Sequence, residues 1–153
     1  MSALDHKIPP PVVALLCAAL AYALARALPQ ATLDGALRLP LAVLLALCGL
    51  GCDLAGLWAF RRHRTTVNPL RPGKASAVVQ DGIYRFTRNP MYVGMALLLT
   101  AWVTGLGAPL GLLALALFVA FITRFQIQPE EHALQAKFGA DYAAYCARVR
   151  RWL

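Results

Sequence analysis

Charge is what this sequence has least of. Only 14% of its 153 residues are Asp, Glu, Lys or Arg, where soluble domains carry about 25%. Between Met91 and Thr123 there is none at all. With 59% hydrophobic residues and a mean hydropathy of +0.58, a chain of this length cannot hide its apolar surface inside a water-soluble core. That excludes a soluble globular domain and points to a single membrane-embedded one covering 1–153. Acidic residues are rarer than basic ones, 7 against 15, for a formal charge of +8. The placement of the excess, described below, argues for membrane orientation and against a nucleic-acid partner.

Other absences narrow the chemistry. No cleavage site punctuates a short apolar core near the start; the first apolar run outlasts a signal-peptide core and reads as a retained helix. Cys17, Cys48, Cys52 and Cys146 lie mostly in apolar segments and do not form a secreted disulfide framework. His6, His63 and His132 share no ligand spacing, so no metal is expected. Nucleophile elbow, phosphate loop and Rossmann glycines are all missing.

What is present is an all-α, polytopic pattern. Apolar runs over 12–28 and 39–60 each suit one crossing, the first with Arg26 able to snorkel near its end. The uncharged block from Met91 to Thr123 would be about 50 Å long as one helix, against a hydrocarbon core of about 30 Å. "GLGAPLG" at 105–111 breaks it into a tight hairpin, 91–105 and 108–127, giving four transmembrane helices. Lys and Arg crowd the 61–90 connector and the segment from Arg124 onward, whereas the 29–38 connection holds only Arg38 and the 105–111 turn none. The bias predicts an inner-membrane protein with both termini and the connector cytoplasmic. From Pro129, the positions Leu134, Phe138, Tyr142, Tyr145, Val149 and Trp152 recur at helical steps, which predicts an amphipathic cytoplasmic helix over 129–153, interrupted at Gly139.

Three places carry candidate chemistry. In "GIYRFTRNPMY", Arg85 and Arg88 stand three apart, Asn89 caps or turns the chain, and Pro90 opens the next helix. The segment is either a capped helix start with interfacial tyrosines or a donor-rich cradle for an anionic or zwitterionic ligand, with Arg88 the inward arginine. "PEEH" puts Glu130 and Glu131 at a helix start, where carboxylates complement the dipole. The charge bias brings them to the same membrane face as the first segment, so the two can grip opposite ends of an amino-acid-bearing cofactor. Asp53, an acid within an apolar run, either pairs structurally or lines the active cavity. Cys48, Cys52 and Gly56 repeat at four-residue spacing and read as a small-residue packing stripe. "RRHRTT" at 61–66 reads chiefly as an anchor for the second helix.

"TTVNPLRPGKASAVVQDGIYRFTRNPMYVG" followed by "PEEHALQAKFGADYAAYCARVRRWL" resembles the integral-membrane methyltransferases of the isoprenylcysteine carboxyl methyltransferase and phospholipid N-methyltransferase group, over about residues 57–153. The resemblance implies S-adenosylmethionine as methyl donor, contacted around Arg88, Asn89, Pro90, Tyr92, Gly94, Glu130 and Glu131. It implies an acceptor side shaped by Tyr142, Tyr145 and Arg148; Asp53, read from its place in an apolar run and not from the resemblance, is the further candidate on the substrate side. Asn89 stands where the isoprenylcysteine enzymes commonly carry histidine. For a carboxylate acceptor, Arg148 would orient it; for an amine, Glu131 would take its proton. The acceptor is expected to be lipophilic or membrane-associated, a prenylcysteine carboxylate or a phospholipid amine, with membrane lipids as surroundings. The alternatives are an NADPH-dependent sterol-reductase-like enzyme, whose related pattern belongs to larger bundles, and a non-enzymatic membrane lipid-binding protein.

Overall fold

The computed structural model describes residues 7–28, 35–62 and 78–153. Arg64, the histidines His6 and His63, and the threonine–Asn–Pro part of the connector lie outside these. Among the described residues five α-helices carry the fold: α1 (Pro10–Ala27), α2 (Gly35–Arg62), α3 (Pro90–Leu106), α4 (Leu112–Ile122) and α5 (Gln128–Arg148). Proline starts α1 and α3, where its missing N–H has no intrahelical partner to lose. Gly107, at φ +66°, closes α3 in the left-handed conformation and donates its N–H to the Thr104 carbonyl. A short 3₁₀ turn, Pro109–Gly111, then leads into α4, so the break falls within the predicted glycine-rich stretch.

Helices α1 and α2 and the continuous helix Pro109–Arg148 are each long and apolar enough to cross a membrane. At 17 residues α3 is shorter, about 25 Å. Leucines such as Leu15, Leu37, Leu54 and Leu113 are more than half exposed on the outer faces, as in a bundle solvated by lipid tails.

Helix α3 packs against three others. One face, with Tyr92, Leu99 and Val103, joins Val13, Cys17 and Ala21 of α1 and Ala114, Phe118 and Ile122 of α4 in the main core. The other face packs on α2 through glycine. A Cβ on Gly49 would lie 2.9 Å from the Gly94 carbonyl oxygen, and one on Gly56 would lie 2.9 Å from Met91 Cγ. The close-packing face of α2 is therefore Gly49 and Gly56, with the Asp53 side chain between them against Gly94, not the predicted stripe of Cys48, Cys52 and Gly56; Cys48 is exposed. Helical spacing of four is shared by adjacent registers, and the closest backbone approach selects the one containing glycines.

The C-terminal region differs from expectation in two ways. Helix α5 does not begin afresh at Pro129 but continues α4 through a π-helical turn, Thr123–Ile127. A proline inside an α-helix loses a hydrogen bond and collides with the carbonyl four residues back, here that of Phe125. The wider π turn relieves this without ending the helix. The helix also stops at Arg148 instead of running to 153, with Val149 extended at φ −122°, ψ 133°. Gly139 kinks it at φ +50°, ψ −120°. Counted from Pro109, about 20 residues cross a hydrocarbon layer of about 30 Å, so the apolar slab ends near Gln128 and the charged part of α5 emerges from it.

Candidate active site

The site grows from the polar segment that enters α3. The turn Gly82–Arg85 docks on the end of α2, where Tyr84 is buried with Ala59 and Val79 and meets the Phe60 ring edge-on at 5.4 Å. Tyr145 of α5 donates its hydroxyl to the Tyr84 carbonyl at 2.8 Å, tying α5 to this turn. Thr87 is almost fully buried, and its Oγ1 accepts the Asn89 N–H at 3.1 Å. Asn89 occupies the N-cap position of α3, yet its side chain does not cap the helix. It donates instead to the Arg151 carbonyl at 2.8 Å.

Two glutamates arrive from α5. Tyr92 donates its hydroxyl to Glu130 Oε1 at 2.7 Å. Glu131 is held by two guanidinium groups. Arg88 Nη2 lies 2.9 Å from its Oε1, while Arg151 donates Nε to Oε1 at 3.0 Å and Nη2 to Oε2 at 2.6 Å. Successive residues on a helix differ by about 100° in direction, so the adjacent glutamates face different partners. Arg88 is the inward arginine, with a side chain 12% exposed, and Arg85 is exposed.

Burial pushes the Glu130 carboxyl up to about 8; the neighbouring Glu131 charge adds to this and the Tyr92 hydrogen bond opposes it. By surface area Glu130 is only half-buried, but its carboxyl is surrounded closely enough that desolvation dominates. Burial also raises Tyr84, Tyr142 and Tyr145, with Arg88 pulling the last two back. These groups thus share one electrostatic neighbourhood.

Several predicted residues converge and others do not. Arg88, Tyr92, Glu130 and Glu131 come together, and Tyr142 and Tyr145 are buried beside them with ring centroids 6.2 Å apart. Pro90 is buried at the first turn of α3. Gly94 lies about 200° around α3 from Tyr92. It faces α2, where a Cβ would reach within 2.6 Å of Asp53 Cγ. Asp53 therefore packs at the α2–α3 seam, with its Oδ1 buried and unpartnered among the described residues. Arg148 is exposed and donates to Gln80 Oε1 at 3.0 Å.

Sequence reasoning missed Arg151, Thr87 and Tyr84. Tyr84 and Thr87 lie inside the quoted "GIYRFTRNPMY", but nothing in their spacing marks them. Arg151 acts 20 residues from Glu131 only because the chain reverses after Arg148.

The parts suit S-adenosylmethionine chemically. Arg88 Nε is a buried donor with no partner among the described residues, suited to a carboxylate. The free oxygen of Glu130 suits an amine or hydroxyls, and tyrosine faces favour a sulfonium cation. Among the described residues no histidine, cysteine, aspartate or glutamate cluster gathers as metal ligands.

Comparison with known proteins identifies a family. The profile of the phospholipid methyltransferase family matches residues 37–141. An uncharacterized protein of Haemophilus influenzae is 44% identical over 63 residues, which are 41% of this chain and the whole of that protein. No solved structure matches.

Proposed function

Since the chain belongs to the phospholipid methyltransferase family, a family of membrane methyltransferases, we propose that it methylates a lipophilic acceptor with S-adenosylmethionine where α3 begins and α5 leaves the membrane. The observation that carries the proposal is the convergence of Arg88, Tyr92, Glu130 and Glu131 from elements separate in sequence. When bound, S-adenosylmethionine supplies a methyl carbon activated by its sulfonium. Arg88 would hold its carboxylate and Glu130 its amine or ribose hydroxyls. The arginine excess of this face supports a cytoplasmic location, the side from which a soluble cofactor arrives.

A phospholipid amine is the acceptor favoured here. A protonated amine must lose a proton before its nitrogen can bond to carbon. Glu130 holds its own proton below about 8, so it is the ionised form, growing as pH rises toward that value, that would take this proton and pass it to water, a role assigned from sequence to Glu131. Both oxygens of Glu131 are already engaged by arginines. The exposure of Arg148 supports the amine reading over a carboxylate acceptor. In-line displacement gains most from alignment and from exclusion of water, and the buried Tyr84, Tyr92, Tyr142 and Tyr145 line the site on its protein side.

Calorimetric titration of detergent-purified protein with S-adenosylhomocysteine tests the reading. Binding is expected, and weakened by the double change Glu130→Ala, Glu131→Ala; no heat up to about millimolar ligand, an affinity of about −4 kcal/mol, sinks it.

A further inference from the structure

Residues 149–153 form a strap across the site. Arg88 N–H bonds the Arg150 carbonyl at 2.9 Å, and Asn89 Nδ2 and Thr87 Oγ1 both reach the Arg151 carbonyl, at 2.8 and 3.3 Å. On its far side Trp152 donates its indole N–H to Thr123 Oγ1 in the π turn at 3.1 Å. The backbone around Arg151 is thus pinned to α3 on one side and to the α4–α5 junction on the other. From that fixed base, the Arg151 guanidinium meets Glu131 as a two-pronged fork.

This differs from an ordinary surface ion pair, whose partners lose entropy to stay together and gain little. Here the backbone is already ordered, and Glu131 is 17% exposed against 36% for Arg151. A carboxylate offers about four acceptor positions, and three N–H groups fill most of those on Glu131. Glu130 uses one oxygen for Tyr92, and its other has no partner among the described residues.

We propose that Arg151 is a positioning residue of the active site: its fork, set by the 149–153 strap, locks Glu131 as a fixed anion and leaves Glu130 as the carboxyl free for ligand and proton. Arg151 itself touches neither. The groups around the pair are Arg88 and Tyr92 from the α3 side, Tyr84 from the 3₁₀ turn, and Tyr142 and Cys146 from α5. Among these, Arg88 and Arg151 are the cations that offset Glu131. Without Arg151 the Glu131 charge acts on Glu130 less compensated and holds its proton more tightly.

The test compares the wild-type chain with Arg151→Ala and Arg151→Lys in two measurements. The first, without ligand, is the midpoint of the pH dependence of thermal unfolding. Arg151→Ala is expected to raise it by about 0.5–1 pH unit, and Arg151→Lys, which keeps the charge, to leave it near wild type. The second is S-adenosylhomocysteine affinity, expected to fall about ten-fold in both variants because lysine cannot reproduce the fork. An unmoved midpoint in Arg151→Ala together with unchanged affinity overturns the proposal. If Arg151→Ala does not fold, wild-type affinity in Arg151→Lys overturns it instead. The affinity arm rests on the methyltransfer reading, but the ligand-free midpoint does not. Wild-type protein that binds no S-adenosylhomocysteine would remove that reading, and the midpoint would still decide the role of Arg151.

Discussion

Glu130→Gln should make the protein more stable at alkaline pH. The Glu130 carboxyl rises from an ordinary 4.5 to about 8 in the folded chain, chiefly through burial. The folded state therefore holds a proton between those values that the unfolded state releases. Stability is full below about 4.5, falls as pH climbs through about 8, and levels off above it. At about 1.4 kcal/mol per pH unit, the whole fall is on the order of 5 kcal/mol as an upper bound. Glutamine keeps the shape and still accepts the Tyr92 hydroxyl, but carries no charge to desolvate. Fluorescence-detected unfolding in detergent from pH 5 to 9 should show a sloping wild-type curve and a flatter variant curve. The two would part most at pH 9, by on the order of 10 °C in Tm. Parallel curves would refute the reasoning, because then no proton is exchanged at Glu130 in this range.

Tyr92→Phe removes the hydrogen bond that holds the Glu130 carboxyl down, so the midpoint of the same curve should move upward; a downward shift would contradict the assigned pairing. Gly94→Ala puts a Cβ 2.8 Å from the Gly49 carbonyl oxygen, and backbone cannot yield as a side chain can. It should cost about 1–3 kcal/mol in the unfolding assay, with only partial recovery when Asp53→Ala is added. Arg148→Ala removes an exposed side chain bonded to Gln80, so stability should change by less than about 0.5 kcal/mol. Turnover on an amine acceptor should survive, and a hundred-fold loss would return Arg148 to the chemistry.

The helices were legible because their signals are local. Apolar runs, Pro90 and the glycines at 105–111 mark starts and stops within a few residues. The pairing of "RNPMY" with "PEEH" was legible from charge bias, which sorts segments by membrane face before any contact is known. The seam between α2 and α3 was not, since Gly56 fits both the stripe with Cys48 and Cys52 and the face with Gly49, two turns away. Nor was the continuity of α4 and α5, because Pro129 reads equally as a helix starter and as a proline tolerated after a π turn. The reversal that sets Arg151 on Glu131 was hidden for another reason. "RVRRWL" carries the composition of a basic membrane anchor, and it takes tertiary bonds, among them those to Thr87, Arg88 and Asn89 more than 60 positions away, to turn it back over the site.

The π turn links these hidden features. One residue more or less in a helix rotates everything beyond it by about 100°. Glu130 and Glu131 are themselves one residue apart, so the register set at Thr123–Ile127 decides which glutamate meets Tyr92 and which meets the arginines. A plain α-helical junction would turn α5 by roughly that angle, offering the fork of Arg151 a different residue and stripping Glu130 of its buried partner. The same turn carries Thr123, which anchors Trp152 and so the strap, and Gln126, whose amide reaches back to the Ile8 carbonyl at 2.8 Å. A local departure from regular helix thus fixes three things together: the division of labour between two adjacent carboxyls, the seat of the strap that enforces it, and the lock on the segment entering α1. That concentration of constraints is the physical reason to look for function at the point where the long helix leaves the membrane.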